Sequence, residues 1–488
     1  MNDSSQPRDA TRNSDITELS AIGLSRAIRE RKVSCLETLN AFLEQIDLHN
    51  PRVNAIVAMQ DRDALQGLAR ELDDRLSRGQ WLGPLHGFPQ APKDIAPAAG
   101  MVTTKGCPVF KGNVTHTDAV IFERMRRGGA LFVGRSNSPE LGLGGHTYNN
   151  VYGTTYNAFE PTRSAGGSSG GAAVALALHM LPVADGTDMM GSLRTPAAFN
   201  NIYGLRTSLG CVPHGPTDEI FLQQFSVSGP MARNIPDMAM LLAVQAGRDP
   251  RLPLSRELDP SEFLAPLERD FKGCRIGWLG DLNGHLAFEP GLLELCETAL
   301  KTLRDIGCEI EVVTPSFGFE KLWHAWIDLR SHSVAGNNFA LYDDPAKRAQ
   351  LKPEAVWEIE RGLKLSGKDI YSASAVRSAW YQTLLSLFAQ YDFLLMPTSQ
   401  VFPFDARKHW PEQIGERKMD TYHRWMETTI YATMAGLPAL SMPAGFNGDG
   451  LPAALQLIGR PHGDFGVLQL GHAYDQAGGH SLIRSPLL

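Results

Sequence analysis

Two runs separated by ten residues, CRIGWLG (274–280) and GLLELCETALKTLRDIGCEIEVVT (291–314), set the strongest constraint on the fold. The first is a short apolar run. The second carries apolar residues at helical spacing, stops at Gly307 and resumes as another short apolar run. Strand, helix, strand in that order is the unit of an α/β architecture, because a crossover helix is what returns a chain to a neighbouring strand. GALFVGRSN (129–137) reads as a further strand. The pattern predicts an α/β fold with a largely parallel or mixed sheet.

Residues 1–15 read as a polar tail and 16–488 as one large domain, because no internal repeat or low-complexity linker divides the rest. The first part of the domain, about 16–75, is helical in pattern. Asp15 or Thr17 is placed to cap a first helix, and Ser34 a second, with Glu37 completing a capping box. The Pro51 region is expected to end that second helix. From about 317 to 390 the chain turns helical and aromatic, with Trp323, Trp326, Trp357 and Trp380. This stretch reads either as a helical insert covering a site or as ordinary core helices.

Bulk properties exclude several classes. Hydrophobic residues make up 43% and charged residues 20% of the chain, an ordinary globular balance. The net charge of −7 comes without a basic run, so nucleic acid is not an expected partner. The longest apolar run, AAVALALHMLPVA, is shorter than the ~18 residues of a spanning helix, so no membrane partner is expected. The N-terminus lacks an apolar signal core, and a soluble cytoplasmic protein is expected. The six cysteines are scattered without a CxxC pair, which argues against a disulfide framework or zinc site. GLKLSGKD (362–369) nearly spells a phosphate loop, but Asp369 stands where a hydroxyl must reach Mg²⁺. It reads as a turn between helices.

Three segments carry chemistry. SAGGSSGGAAVALALHM (164–180) brings Ser168 and Ser169 between glycines, Gly167 among them, to the start of a helix, where free N–H groups could hold an anion. A Gly/Ser turn before a packed helix is the plainer reading. DGTDMMGSLR (185–194) presents Ser192, with Asp188 and Arg194 as the pair that braces the loop. The backbone N–H groups of Met189, Met190 and Gly191 are candidates for an oxyanion hole. The Met190 side chain is expected to line the acyl side of the pocket, against the alternative that it fills core. GPLHGFPQAPKDIAP (83–97) encloses Lys93 in apolar and proline-rich sequence. Burial would lower its pKa from ~10.4 towards ~7–8, about 4 kcal/mol of preference for the neutral base. A lone lysine more often reads as a solvated surface charge.

Taken together, these segments resemble the amidase signature family of serine hydrolases. Lys93, Ser168 and Ser192 stand at separations of 75 and 24 residues, similar to that family's Ser–Ser–Lys triad. The likeness continues through PAAFNNIYGLRTS, FLLMPTSQ and AGLPALSMPAGFNGDGLPAALQLIGRP, nearly the whole chain. Met190 departs from the family's usual glycine, and Gln90 and Pro92 depart near the lysine.

The resemblance implies a twisted mixed sheet covered by helices on both faces. It also implies that Ser192 is acylated, that Lys93 is the base, and that Ser168 relays the proton from a cis peptide. The oxyanion would rest on the N–H groups of Met189, Met190 and Gly191, with Gly167, Ser169, Asp188 and Arg194 supporting. No metal or organic cofactor is implied. The substrate would be a small-molecule linear amide, with carbamates, ureas and esters also within reach, and a homodimer is allowed. Two other functions stay open. One is an amidotransferase-type subunit that releases ammonia from glutamine for a partner. The other is a non-catalytic binding protein.

Overall fold

The computed structural model describes residues 13–222 and 224–488, so most of the polar tail lies outside the described residues. Eight strands form the central sheet: β1 (Ala184–Asp188), β2 (Tyr203–Arg206), β3 (Val227–Ala232), β4 (Arg275–Trp278), β5 (Glu309–Val312), β6 (Phe393–Pro397), β7 (Ala439–Phe446) and β8 (Pro452–Ile458). Their spatial order is β5-β4-β6-β8-β7-β2-β3-β1. Two pairs, β4–β5 and β4–β6, are parallel, and the remaining pairs run antiparallel. The sheet is therefore mixed, and more antiparallel than the strand–helix–strand unit alone suggested.

Twelve helices matter to the account: α1 (Asn13–Glu18), α2 (Ala21–Arg29), α3 (Cys35–Val53), α4 (Arg62–Ser77), α5 (Gly170–Ala177), α6 (Arg194–Phe199), α7 (Ile235–Gln245), α8 (Leu292–Asp305), α9 (Phe319–Asp343), α10 (Pro353–Leu363), α11 (Gly367–Phe388) and α12 (Asp464–Gly478). The period-2 alternation of strand side chains divides the core between two faces. Leu395, Leu440, Met442, Leu455 and Leu457 join a cluster with residues of α7, α8 and α12. Their neighbours Leu394, Met396, Ala439, Ala454 and Ile458 join a second cluster with Phe199 of α6 and with Trp323, Trp326 and Trp380 of α9 and α11. Helices thus cover both faces.

The CRIGWLG strand, the helix after it and the following strand form as β4, α8 and β5, with Gly307 at φ 93° ending the helix. GALFVGRSN does not form one strand. It splits into Leu131–Phe132, paired with Pro89–Gln90, and Arg135–Ser136, paired with Ile56–Val57. Gly134 sits between them with its Cα so near the Val57 carbonyl that an added Cβ would lie 2.9 Å from that oxygen. These short pairings lie outside the central sheet, yet they hold the approach to Lys93, which itself bridges to Ser136.

At the N-terminus, Ser34 and Glu37 form the expected capping box on α3. Two boundaries differ from expectation. The first amphipathic stretch breaks at Leu19, so the cap of α2 is Ser20, whose Oγ accepts from the Gly23 N–H at 3.0 Å, and not Asp15 or Thr17. Helix α3 passes through Pro51 and ends on Asn54 in the left-handed region (φ 51°). Near a helix C-terminus proline only removes one bond, and the αL cap is the actual stop. In GLKLSGKD, Ser366 and Asp369 form a capping box on α11, which explains an aspartate where a phosphate loop needs a hydroxyl.

Candidate active site

Burial of Lys93 follows from its surroundings. Its backbone N–H donates to Asp185 Oδ2 at 3.3 Å, and the carbonyl of Lys93 accepts from Arg135 Nη2 at 2.8 Å. The side chain is 0% exposed. Its Nζ meets three hydroxyls: Ser168 Oγ at 2.7 Å, Ser169 Oγ at 2.9 Å and Thr187 Oγ1 at 3.1 Å. Desolvation lowers the amine's pKa to about 7, against the opposing pull of Asp185 and Asp188. A neutral amine has two N–H donors and one lone pair. Three hydroxyl neighbours satisfy either state: all three accept from the ammonium, whereas the neutral amine donates to two and accepts from the third.

Ser168 follows Gly167 through a cis peptide bond. Ser169 then caps α5, and its N–H donates to the Ser192 carbonyl at 3.1 Å, which joins the two serine loops. The next N–H groups are also taken: Gly170 donates to Thr147 Oγ1 at 3.2 Å and Gly171 to the Asn137 carbonyl at 3.2 Å. This corrects the expectation that the helix start could hold an anion, because the protein itself satisfies the donors that an anion would need.

Ser192 lies on the turn from β1 into α6 and is 8% exposed. Asp188 organises that turn. Its carboxylate accepts from the N–H groups of Gly191 (3.0 Å) and Leu193 (3.2 Å), and from Arg194 Nε (2.9 Å) and Nη2 (2.8 Å). Arg206 adds a second cation at 3.3 Å. Burial would raise the pKa of Asp188, but the two guanidiniums overcome it and hold the group ionised well below the carboxylate range. Gly191 is required here twice over. Its φ is +80°, and a Cβ would lie 2.5 Å from Thr429 Cγ2.

The structure brings Lys93, Ser168, Ser169 and the Ser192 turn together, and pairs Asp188 with Arg194. It also changes two details of the loop. The Gly191 N–H is already committed to Asp188, which leaves Met189 and Met190 as candidate oxyanion donors. The Met190 side chain is 3% exposed and packs in the aromatic cluster with Phe199, Trp326 and Trp425. It fills core, the opposite of the expected pocket role. Met189 is the more exposed of the pair, and Arg330 Nη1 of α9 stands 3.8 Å from its sulfur.

Sequence reasoning missed Thr187, Asp185 and Arg206. The first two alternate on β1, so a strand reading of DGTD would have placed both on one face. Arg206 stands 18 residues after Asp188 within PAAFNNIYGLRTS, a segment that was matched as a motif without a role for its arginine. Among the described residues, no group of three or more His, Cys, Asp or Glu side chains is arranged to hold a metal ion. No helix among them is long and apolar enough to cross a membrane.

Comparison with known proteins identifies the family. The Amidase family model matches residues 37–468. An acylamidase of Rhodococcus erythropolis is 33% identical, covering 92% of this chain and 94% of its own. One of the subunits of the glutamyl-tRNA(Gln) amidotransferase of Chloroflexus aurantiacus is 31% identical over 95% of this chain and 97% of its own. Among solved structures, a bacterial aryl acylamidase of the amidase signature family superposes with a TM-score of 0.89 at 27% identity, covering 95% and 97% of the two chains. The chain belongs to the amidase signature family and is an amide-hydrolysing enzyme.

Proposed function

We propose that amides are cleaved through an acyl-enzyme on Ser192, with Lys93 as base and Ser168 as the proton relay. The observation that carries this reading is the buried Lys93 amine, 2.7 Å from Ser168 Oγ and neutral above about pH 7. Ser168 gives its proton to Lys93 as it takes one from Ser192, whose oxygen attacks the carbonyl. The N–H groups of Met189 and Met190 receive the oxyanion. The departing amine takes the proton back along the relay. A water molecule, deprotonated by the same route, then releases the acid.

A fluorophosphonate probe should label the wild type on Ser192 and leave Ser192→Ala unlabelled and inactive. Lys93→Ala should lose several orders of magnitude in kcat/KM, and Ser168→Ala should be severe but less complete, since water can bridge the gap. Normal turnover in Ser192→Ala would reject the assignment.

The preferred substrate is an acyl amide, in line with the acylamidase relative. The second reading, ammonia release from glutamine, draws on the amidotransferase relative that is 31% identical. Assaying the purified chain alone separates the two. Hydrolysis of simple acyl amides with no turnover of glutamine supports the first, and the reverse supports the second.

A further inference from the structure

A chain of contacts runs from the Ser168 hydroxyl round to the turn that carries Ser192. A methyl group placed on Gly142 would lie 3.8 Å from Ser168 Oγ, and one on Gly144 would lie 3.8 Å from Tyr422 Cε2. Tyr422 is bonded through its hydroxyl to Arg330 Nη2 at 2.9 Å. Arg330 Nη1 reaches Met189 Sδ at 3.8 Å, and Met189 begins the turn that carries Ser192. Arg330, on α9, therefore stands beside the turn that carries Ser192, with Tyr422 between it and Gly144.

Its donors are unequally used. Nε donates to Glu358 Oε1 at 2.6 Å and Nη2 to Tyr422, whose hydroxyl also donates to Glu358 at 2.8 Å. Nη1 is left with a thioether, which is a weak acceptor. The side chain is 5% exposed, so an underused charged N–H there has little water to turn to. We infer that Arg330 Nη1 is a specificity donor of the active site, and that it selects amides carrying a second, uncharged hydrogen-bond acceptor, such as an ester or amide carbonyl, outside the scissile bond.

Charge balance decides between an uncharged acceptor and a carboxylate. Arg330 is matched by Glu358. Lys352, whose Nζ would lie 3.7 Å from a methyl on Gly144, is flanked by Glu140 and Glu354. The two cations face three carboxyl groups, and no excess positive charge remains to offset the desolvation of a substrate carboxylate. Met189 can swing aside for a substrate, because its side chain is unbranched and flexible.

This inference rests on the acyl-enzyme reading above, and the test keeps the two apart. Matched amides are assayed on the full chain: one with a neutral carbonyl in the acyl or amine half, one with methylene in its place, and one with a carboxylate. Wild-type kcat/KM should favour the neutral carbonyl over both others, in at least one half, by about tenfold or more, as expected for a bond from a charged donor. Met189→Gln places the chain's own amide oxygen on Nη1 without unpairing Glu358, and should bring that ratio close to one. The ratio cancels any effect on the oxyanion loop common to all three substrates. Arg330→Met combined with Glu358→Gln, which removes both charges of the pair together, should collapse it as well. Equal rates across the wild-type set, an unchanged ratio in Met189→Gln, or a preference for the carboxylate would overturn the inference while leaving hydrolysis and Ser192 labelling intact. Loss of labelling and of all turnover in the wild type would instead overturn the acyl-enzyme reading and this inference with it.

Discussion

Lys93 is the residue on which pH dependence turns. Its folded pKa, about 7, lies below the value of 10.5 for a free lysine, and burial is the leading cause. In the proposed mechanism the neutral form is the base, so kcat/KM should rise as pH increases through about 7 and then level off, which a pH–rate profile measures directly. A profile that falls over that interval would remove Lys93 from the role. The same shift has a stability counterpart. Between the folded and unfolded pKa values the unfolded chain holds the extra proton, so stability rises with pH at ~1.4 kcal/mol per pH unit at most. Below the folded pKa the cost of the buried ammonium is present in full. Lys93→Met removes this term. Its unfolding free energy relative to wild type should therefore be most favourable at or below pH 7 and should decline towards pH 10, as read by denaturant titration across that range. A pH-independent difference would show that burial does not depress the amine.

At the scale of elements, the turn between β1 and α6 is held by one carboxylate. Asp188 bonds two backbone N–H groups and faces two buried guanidiniums. Asp188→Ala would leave Arg194 and Arg206 uncompensated in a site of 0% exposure, a change that costs about 3–5 kcal/mol. Thermal unfolding should shift down accordingly, and Ser192 labelling should be lost even in the fraction that remains folded. A folded Asp188→Ala variant that labels normally would show that the turn holds itself. This turn was largely legible in the sequence, because Asp188, Arg194 and Ser192 lie within seven residues of one another and chemistry fixes their kinds. The capping box on α3 was legible for the same reason. What was not legible depends on how separate elements are brought together. Arg206 reaches Asp188 from the next strand but one, and Arg330 reaches Met189 across 141 residues. GALFVGRSN has strand composition throughout, yet the close approach of Val57 at Gly134 divides it, and no local pattern announces such an approach.

For the whole molecule, the alternation along β7 and β8 has a consequence for unfolding. Ala439 and Ala454 belong to the aromatic cluster, while Leu440 and Leu455 belong to the cluster on the other face. Neither cluster can come apart without stripping one side of strands that the other still needs. Although a chain of 488 residues is large for two-state behaviour, the two faces should therefore melt together. The protein provides its own reporter. Of eight tryptophans, Trp323, Trp326, Trp380 and Trp425 are fully buried in the aromatic cluster, while Trp278 and Trp81 pack on the other face, so in a Trp81→Phe/Trp278→Phe background fluorescence follows the aromatic face. Leu440 is 0% exposed on the opposite face, and Leu440→Ala should cost about 2–5 kcal/mol by leaving a cavity there. If the faces are coupled, the fluorescence transition should move by the same denaturant increment as the transition followed by far-ultraviolet circular dichroism. A fluorescence midpoint that stays in place while the dichroism midpoint falls would mean that the aromatic helices and their face of the sheet form a separate folding unit. The turn that carries Ser192 would then be held by whichever unit retains β1, and inactivation would track that midpoint alone.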